Sequence, residues 1–246
     1  MIRPMMIVAV ALMAAPSAFA ITPAQAVADK ARPEADTARD EARKPAEMLA
    51  LAKIKEGQTV VDIMPGGGYF TRLFSAMVGP KGKVYAFVPA EIATRNPKAM
   101  EGLEALAKEP GRANVQPISH PMMAAAPATV NGTIDMIWTS QNYHDFKNNP
   151  ANDMVAFNKG MFDRLKKGGY YIVLDHSAPA GSGFELTRTL HRVDGAAVRK
   201  EVEAAGFVFD GESKVLANPA DKRDIQVHDP ALRGHTDQFV YRFRKP

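Results

Sequence analysis

The sequence predicts an α/β protein built on an open, mostly parallel β-sheet, and three observations carry that prediction. Residues 59–64 read TVVDIM, a short β-branched and apolar run that is typical of a buried strand. Strand-like runs then alternate with helical patterns along residues 69–205, as in proteins whose parallel strands are joined by helices. Residues 238–244 alternate large apolar with other side chains, which predicts a closing strand.

The chain before the first strand divides into two parts. Residues 21–38 are rich in alanine, charge and proline, with little apolar periodicity, and predict a flexible or partly helical lead-in. From residue 39 the character changes, and we expect the folded domain to occupy residues 39–246. Pro45 suits a first helical turn, Met48 and Leu49 begin an apolar stripe, and Gly57 ends the helix before the strand. The charged residues of this helical region predict a solvated face.

A turn without side chains follows the first strand. Residues 65–68 read PGGG, and residues 69–78 then place apolar side chains at helical spacing. Strand, bare loop and helix form the geometry in which backbone N–H groups and a helix N-terminus face a ligand. Glycines let that ligand approach the main chain closely. The alternative is a tight β–α turn that binds nothing.

The rest of the chain continues the alternation. Pro117 places the third strand at an edge of the sheet, because proline has no N–H to donate to a neighbouring strand. Residues 218–234 are long, charged and contain proline, so they form either a functional or a mobile excursion. The predicted strands are residues 83–88, 114–118, 134–139, 170–174 and a run from residue 206, and the predicted helices are residues 97–108, 149–165 and 196–205.

Two strand ends carry polar residues suited to chemistry. Residues 140–146 predict a polar loop with Asn142, His144 and Asp145, and Asp175 and His176 end the next strand. Because the carboxyl ends of parallel strands share one edge of a sheet, we expect these residues to lie beside the same cleft. Histidine can take a proton near neutral pH, although such a loop can also simply cap the next helix. We predict no metal site, because no H-x-x-x-H or comparable ligand spacing occurs.

The order of Asp62, the glycines and the helix start resembles the first motif of class I S-adenosylmethionine-dependent methyltransferases. That motif has the form D-h-G-x-G-x-G, with h an apolar residue. Aligned on Asp62, Met64 replaces the first glycine, while Gly66 and Gly68 match the second and third. The resemblance implies a three-layer, Rossmann-like methyltransferase fold, with a mostly parallel seven-stranded sheet and an antiparallel C-terminal strand.

The resemblance also implies a cofactor, S-adenosylmethionine, and an in-line attack of an acceptor atom on its methyl group. In that family an acidic residue after the second strand holds the ribose. Here Val88 and Pro89 occupy that place, and Glu91 follows as either a ribose ligand or an ordinary helix-start acid. The expected catalytic residues are His144, Asp145 and His176. The expected cofactor-binding residues are Asp62, Met64, Pro65, Gly66, Gly67, Gly68, Tyr69, Glu91 and Asn142.

A wider set of segments resembles a small bacterial family of exported, predicted methyltransferases. These segments are residues 38–47, 64–71, 190–194 and 233–239. The resemblance implies methyl transfer to a small-molecule or envelope acceptor. The alternative is an exported binding protein that retains the fold without transfer. A nicotinamide-dependent dehydrogenase is disfavoured, because G-x-G-x-x-G and its later acidic residue are absent.

Composition limits the partners and indicates export. With 246 residues, a formal net charge of +4 and no cysteine, the sequence indicates no nucleic-acid surface and no disulfide framework. Residues 1–20 contain Arg3, an apolar stretch and the small residues of 18–20, as in a secretory signal peptide cleaved after Ala20. The apolar stretch is too short to span a membrane, so we expect a periplasmic or secreted protein without stable membrane insertion.

Overall fold

The described part of a computed structural model, residues 21–124, 130–149 and 152–246, forms a seven-stranded sheet between two layers of helices. The signal peptide expected at residues 1–20 lies outside these residues. The strands are β1 (Thr59–Ile63), β2 (Lys83–Pro89), β3 (Val115–His120), β4 (Ile134–Ser140), β5 (Leu165–His176), β6 (Val208–Ser213) and β7 (Gln238–Arg244).

The strand order is β3-β2-β1-β4-β5-β7-β6. Strands β1 to β5 pair in parallel, and β7 runs antiparallel to both β5 and β6. The predicted mostly parallel seven-stranded sheet with an antiparallel C-terminal strand is therefore confirmed. The edge position of β3 is confirmed as well, since β3 pairs only with β2 among the described strands.

The helices that precede and follow β1 to β3 are α1 (Pro23–Val27), α2 (Glu34–Thr37), α3 (Asp40–Arg43), α4 (Pro45–Ala52), α5 (Tyr69–Val78), α6 (Ala90–Arg95) and α7 (Lys98–Ala107). The later helices are α8 (Tyr143–Lys147), α9 (Met154–Arg164), α10 (Thr187–Leu190) and α11 (Gly195–Ala204).

Each face of the sheet is buried against its own hydrophobic cluster. Val60 belongs to the cluster with α4, α5 and α7, whereas Val61 and Ile63 belong to the cluster with α8, α9 and α11. Successive side chains of a strand point to opposite faces, so a strand covered on both sides needs apolar residues at consecutive positions. This explains the unbroken apolar run that predicted β1.

The structure differs from the sequence prediction at three places. Residues 143–147, expected within a polar loop, form α8. Glu91 lies in the first turn of α6, which agrees with the helix-start alternative for this residue. The helix expected at residues 149–165 begins only at Met154, because the Asp153 carboxylate caps it by accepting a hydrogen bond from the Ala156 N–H. Strand β5 starts at Leu165, before the predicted residue 170, and continues to His176.

The lead-in of residues 21–38 is folded rather than flexible. Ala26 of α1 is 1% exposed, and the buried Asp36 of α2 accepts a 3.2 Å hydrogen bond from the Arg72 guanidinium of α5. Small side chains and ion pairs make these contacts, which is why apolar periodicity did not reveal them. The lead-in therefore contains α1 and α2, in agreement with its partly helical alternative, and packs against the domain expected at residues 39–246.

The excursion between β6 and β7 is anchored inside the molecule. Arg192, fully buried, donates hydrogen bonds to both carboxylate oxygens of Asp221 and to the Ile225 carbonyl oxygen. This buried ion pair, with its hydrogen bonds satisfied, holds the excursion against the segment that contains Arg192. Within the described residues, no helix combines the length and the apolarity needed to cross a bilayer.

Candidate active site

The glycine loop between β1 and α5 presents bare main chain to solvent. A Cβ atom built on Gly66 or Gly67 would meet no atom within 4 Å, whereas one on Gly68 would lie 2.2 Å from the Leu106 side chain. Gly68 is thus required for packing against α7. Gly66 and Gly67 leave open space into which a ligand can come close to the backbone.

Met64 stands at the place of the first glycine of the resembled motif. Its φ angle is +51°, in the left-handed region that glycine adopts without strain. A residue with a Cβ atom is destabilised there by about 1–2 kcal/mol. The backbone at this position therefore has a conformation that favours glycine, although the residue is methionine.

A cavity of about 170 Å³ lies over this loop. Asp62, Met64, Pro65, Gly66, Gly67, Tyr69 and Asn142, all predicted cofactor-binding residues, line it. Gly68 is the one predicted member of the loop outside that lining. Arg39, Arg43 and Gln141, which the sequence analysis did not assign to the site, complete its polar wall.

Asp62 brings an acidic group to the floor of the cavity. Its carboxylate accepts a 2.7 Å hydrogen bond from the Thr71 hydroxyl of α5 and is 2% exposed as a residue. Burial raises the pKa of the Asp62 carboxyl to about 7, against the opposing effects of the Thr71 hydrogen bond and the Arg43 charge. The bond to Thr71 ties the end of β1 to the first turn of α5, as expected for a residue that orders the loop.

Two arginines of the N-terminal region stack on the aromatic ring at the start of α5. The guanidinium carbons of Arg39 and Arg43 lie 4.9 and 4.8 Å from the Tyr69 ring centroid. Arg43 also donates a 3.0 Å hydrogen bond to the Gln141 side chain, and the Tyr69 hydroxyl donates a 2.6 Å bond to Asp40. The expectation that the charged residues here form a solvated face is wrong for Arg43. The spacing of four residues between Arg39 and Arg43, which places both on one side of a helix, was the available signal.

Glu91 lies in a neighbouring cavity of about 90 Å³, which shares Met64 with the first. Its carboxylate accepts a hydrogen bond of 3.2 Å from the backbone N–H of Met122. Asp145 and Phe146 line the same cavity. Glu91 is therefore placed beyond the end of β2, next to the glycine loop but not within its cavity.

Asn142 precedes α8 and joins β4 to β1. Its side-chain amide donates hydrogen bonds of 3.1 and 3.3 Å to the carbonyl oxygens of Ile63 and Met64. The side chain makes no capping bond to α8. It therefore braces the strand end from which the glycine loop starts.

His144 is buried between two carboxylates. Its Nδ1 lies 2.8 Å from Asp175 Oδ1 and its Nε2 lies 3.3 Å from Asp145 Oδ1. Burial alone lowers the pKa of His144, but the negative charges of Asp175 and Asp145 outweigh it and raise that pKa to about 10. A pKa of this size favours the charged form of the His144 ring at neutral pH.

His176 has a pKa that is shifted in the opposite direction to that of His144. Its Nδ1 lies 2.7 Å from the Thr236 hydroxyl, and burial lowers the pKa of His176 to about 4 although Asp175 opposes the shift. It lines a cavity of about 280 Å³ that also contains Arg39, Arg43 and Gln141. The neutral imidazole of His176 thus faces the region next to the glycine-loop cavity.

The predicted site residues accordingly fall into adjoining places along one edge of the sheet. The glycine loop, Asp62 and Asn142 share one cavity, Glu91 and Asp145 share the second, and His176 lines the third. His144 lies beneath them, 3% exposed. This edge is the carboxyl end of the parallel strands, where ligands of open α/β sheets bind.

Solved structures of methyltransferases share this architecture. An S-adenosylmethionine-dependent methyltransferase from Aquifex aeolicus matches with a TM-score of 0.62 and 19% identity, over 92% of this chain and 100% of that one. Geranyl diphosphate methyltransferase in complex with S-adenosylmethionine gives a TM-score of 0.62 and 11% identity, over 92% and 96% of the two chains. Fibrillarin from Aeropyrum pernix, with natively bound S-adenosyl-L-methionine, gives 0.52 and 14%, over 80% and 73%.

At these identities the similarity shows the fold, which is that of class I methyltransferases. No protein-family model matches the sequence, and no curated protein matches it either. The resemblance to a family of exported methyltransferases therefore stays a prediction.

Proposed function

We propose that this protein binds S-adenosylmethionine over the glycine loop and transfers its methyl group to an acceptor that enters from the His176 side. The observation that carries the proposal is the bare main chain at Gly66 and Gly67, where an added Cβ would enter open space. That gap lies between a buried acid and two arginines, at the sheet edge where this fold binds ligands.

The residues present suit the two ends of the cofactor. The amino-acid end carries a carboxylate, for which Arg39 and Arg43 are the cations lining the glycine-loop cavity. The adenosine end fits the neighbouring cavity, where Glu91 offers a carboxylate for hydroxyl groups and Met122 and Phe146 offer apolar surface. Met64 lies between the two cavities and touches both.

When bound, the cofactor supplies an electrophilic sulfonium methyl group. The protein's own part is to position the acceptor, to exclude water and to manage one proton. His176 lines the cavity of Arg39 and Gln141, and its neutral ring can accept that proton, although its lowered pKa makes it a weak base, so its contribution comes chiefly from its position. The His144 ring lies next to it, with the two ring centroids 6.0 Å apart.

A second function is favoured by the contact of Glu91. Its carboxylate already accepts the Met122 N–H, and Pro89 stands where the resembled family has its ribose-binding acid. A protein that binds an adenosyl compound without transferring a methyl group would tolerate this arrangement. Formation of S-adenosylhomocysteine in the presence of acceptor mixtures separates the two functions, because only transfer produces it.

Calorimetry with S-adenosylmethionine and S-adenosylhomocysteine tests binding. In Gly67→Leu the new side chain enters the cavity, and we expect affinity for both compounds to fall at least about tenfold, or about 1.4 kcal/mol. Gly102→Leu is the matched control, since Gly102 lies in α7 outside the cavity and an added Cβ there would also meet no atom within 4 Å. Absence of binding to the unaltered protein, or equal affinity in both variants, overturns the proposal.

Export is part of the same proposal. Cleavage after Ala20 would leave α1 intact, including the capping box in which the Thr22 and Gln25 side chains bond each other's backbone. We expect protein recovered from the periplasm of an expressing bacterium to begin at Ile21, as read by N-terminal sequencing. Recovery of the chain only from the cytoplasm with residues 1–20 intact contradicts export.

A further inference from the structure

Three side chains near His176 bring potential ligand atoms within 3.5 Å of one another. His144 Nε2 lies 3.3 Å from His191 Nδ1 and 3.3 Å from Asp145 Oδ1, and His191 Nδ1 lies 3.5 Å from the same oxygen. The three atoms form a nearly equilateral triangle. His191 lies 47 positions after His144, so chain proximity does not explain their meeting.

The size of this triangle matches one face of a tetrahedral metal site. A metal–nitrogen distance of about 2.0–2.1 Å at tetrahedral angles puts neighbouring ligand atoms about 3.3–3.4 Å apart. The three measured separations lie at or within about 0.2 Å of that spacing. The separations of the three atoms are therefore compatible with binding to a single ion.

A buried carboxylate orients the first of these ligands. Asp175, fully buried, lies 2.8 Å from His144 Nδ1 and accepts the backbone N–H of His144 at 2.9 Å. A metal-ligating histidine characteristically donates its other ring N–H to a carboxylate, which fixes the tautomer and the direction of the ring. Here that bond occupies Nδ1 and turns Nε2 toward His191 and Asp145.

The second histidine is held in a strained backbone conformation. His191 follows α10 with a φ angle of +54°, in the left-handed region. Non-glycine residues persist there when the surrounding structure holds them, and they cluster at functional sites. The side chains of His191 and Asp145 are 27% and 40% exposed, so an ion from solvent can reach the triangle.

We propose that His144, Asp145 and His191 bind a divalent transition-metal ion with tetrahedral preference, such as Zn²⁺. Two imidazole nitrogens and one carboxylate oxygen favour this class over Mg²⁺ and Ca²⁺, which prefer all-oxygen ligand sets. Local spacing could not indicate the site, since the His144-Asp145 pair and the distant His191 do not form a short motif.

Three protein ligands leave the fourth position of a tetrahedral ion open. The substrate class that follows rests on the proposed methyl transfer. The metal site predicts acceptors with an oxygen or sulfur atom that can bind the ion and lose a proton there. Asp145 also lines the cavity of Glu91, which adjoins the glycine-loop cavity at Met64. Metal binding itself does not depend on methyl transfer.

Titration of the chelator-treated, dialysed protein with Zn²⁺ and with Co²⁺ tests the site. We expect one equivalent of each to bind, with the intense visible absorption of tetrahedral Co²⁺. His191→Ala and Asp145→Asn should each weaken binding at least about 100-fold, and Asp175→Asn about 10- to 100-fold. His235→Ala, an exposed histidine of another loop, is the control and should bind like the unaltered protein.

Lack of saturable binding in the unaltered protein overturns the proposal, as does equal binding in His191→Ala and His235→Ala. Circular dichroism identifies any variant that has failed to fold. If Asp175→Asn unfolds, the test rests on His191→Ala, because the His191 side chain is partly exposed. Binding of S-adenosylmethionine is measured separately, by calorimetry in the presence of a chelator. Metal binding without cofactor binding therefore defeats the proposed function and leaves the metal site standing.

Discussion

At the scale of single residues, Asp62 shows how burial controls a charge in the proposed cofactor site. The folded protein raises the pKa of this carboxyl from 3.8 to about 7, chiefly because burial disfavours the ionised form. An acid whose pKa is higher in the folded state stabilises the fold while it is protonated. Its contribution is present at low pH and is lost as pH rises from about 4 to about 7.

Asp62→Asn should remove this dependence. We expect the free energy of unfolding of the variant, relative to that of the unaltered protein, to increase between pH 4 and pH 8. The increase is about 1.4 kcal/mol for each unit by which the pKa is raised. Urea denaturation at several pH values measures it, with Asp224→Asn, an exposed carboxylate, as the control. A difference that stays constant with pH would show that Asp62 is ionised in the fold.

Met64 provides a second residue-scale prediction. Alanine and glycine both remove its side chain, but only glycine adopts a φ angle of +51° without strain. We expect Met64→Gly to be more stable than Met64→Ala by about 1 kcal/mol. Thermal or urea denaturation of the pair measures the difference. Greater stability of the alanine variant would place position 64 outside the left-handed region.

Single residues also show what the sequence could and could not reveal. Asp62 and the glycine loop were predictable, because backbone constraints leave a local signature between a strand and a helix. Arg43 was not, because its spacing from Arg39 indicates only a shared side of a helix and does not show that the Tyr69 ring lies beneath it. The role of Gly68 in packing depends on Leu106, which no local pattern connects to it.

At the scale of elements, the lead-in helices brace the glycine loop through Arg72. Its guanidinium donates hydrogen bonds to the Gly67 carbonyl oxygen, to Asp36 of α2 and to Glu109. One buried cation thus joins the loop, the N-terminal helices and the end of α7. Residues 21–38 therefore contribute to the site without lining its floor.

Asp36→Ala should destabilise the protein by about 2 kcal/mol, because it leaves a buried guanidinium without one of its carboxylate partners. Glu34→Ala, at an exposed position of the same helix, should change stability by less than about 0.5 kcal/mol. Urea denaturation compares the two. Equal stability of both variants would mean that the lead-in is not packed on the domain.

Elements with a strong internal pattern were predicted well. The run in β1, the proline in β3 and the alternation in β7 each follow from which faces are buried and which backbone groups are paired. The short helix α8 was missed, since a segment of five residues owes its form to tertiary contacts and not to its own propensity. The early start of β5 depends on its pairing with β4, which is equally non-local.

At the scale of the whole molecule, the parallel sheet gathers distant residues at one edge. The six histidines all lie in the described part of the chain, and four of them form a chain of neighbouring rings. These are His144, His176, His191 and His228. They come from the ends of β4 and β5 and from two later loops, so the cluster follows from topology and had no sequence signature. The cavities that share Met64, and those that share Arg39 and Arg43, likewise join segments far apart in the sequence.

The central claim is that the bare loop at Gly66 and Gly67 holds an adenosyl cofactor. A crystal structure of the protein grown with S-adenosylhomocysteine tests it most directly. We expect electron density for the amino-acid end of the compound against this loop and beside Arg43, with the adenosine extending past Met64 toward Glu91. Density for the compound at another place, or a loop closed by the protein's own side chains with the compound absent, would contradict the account.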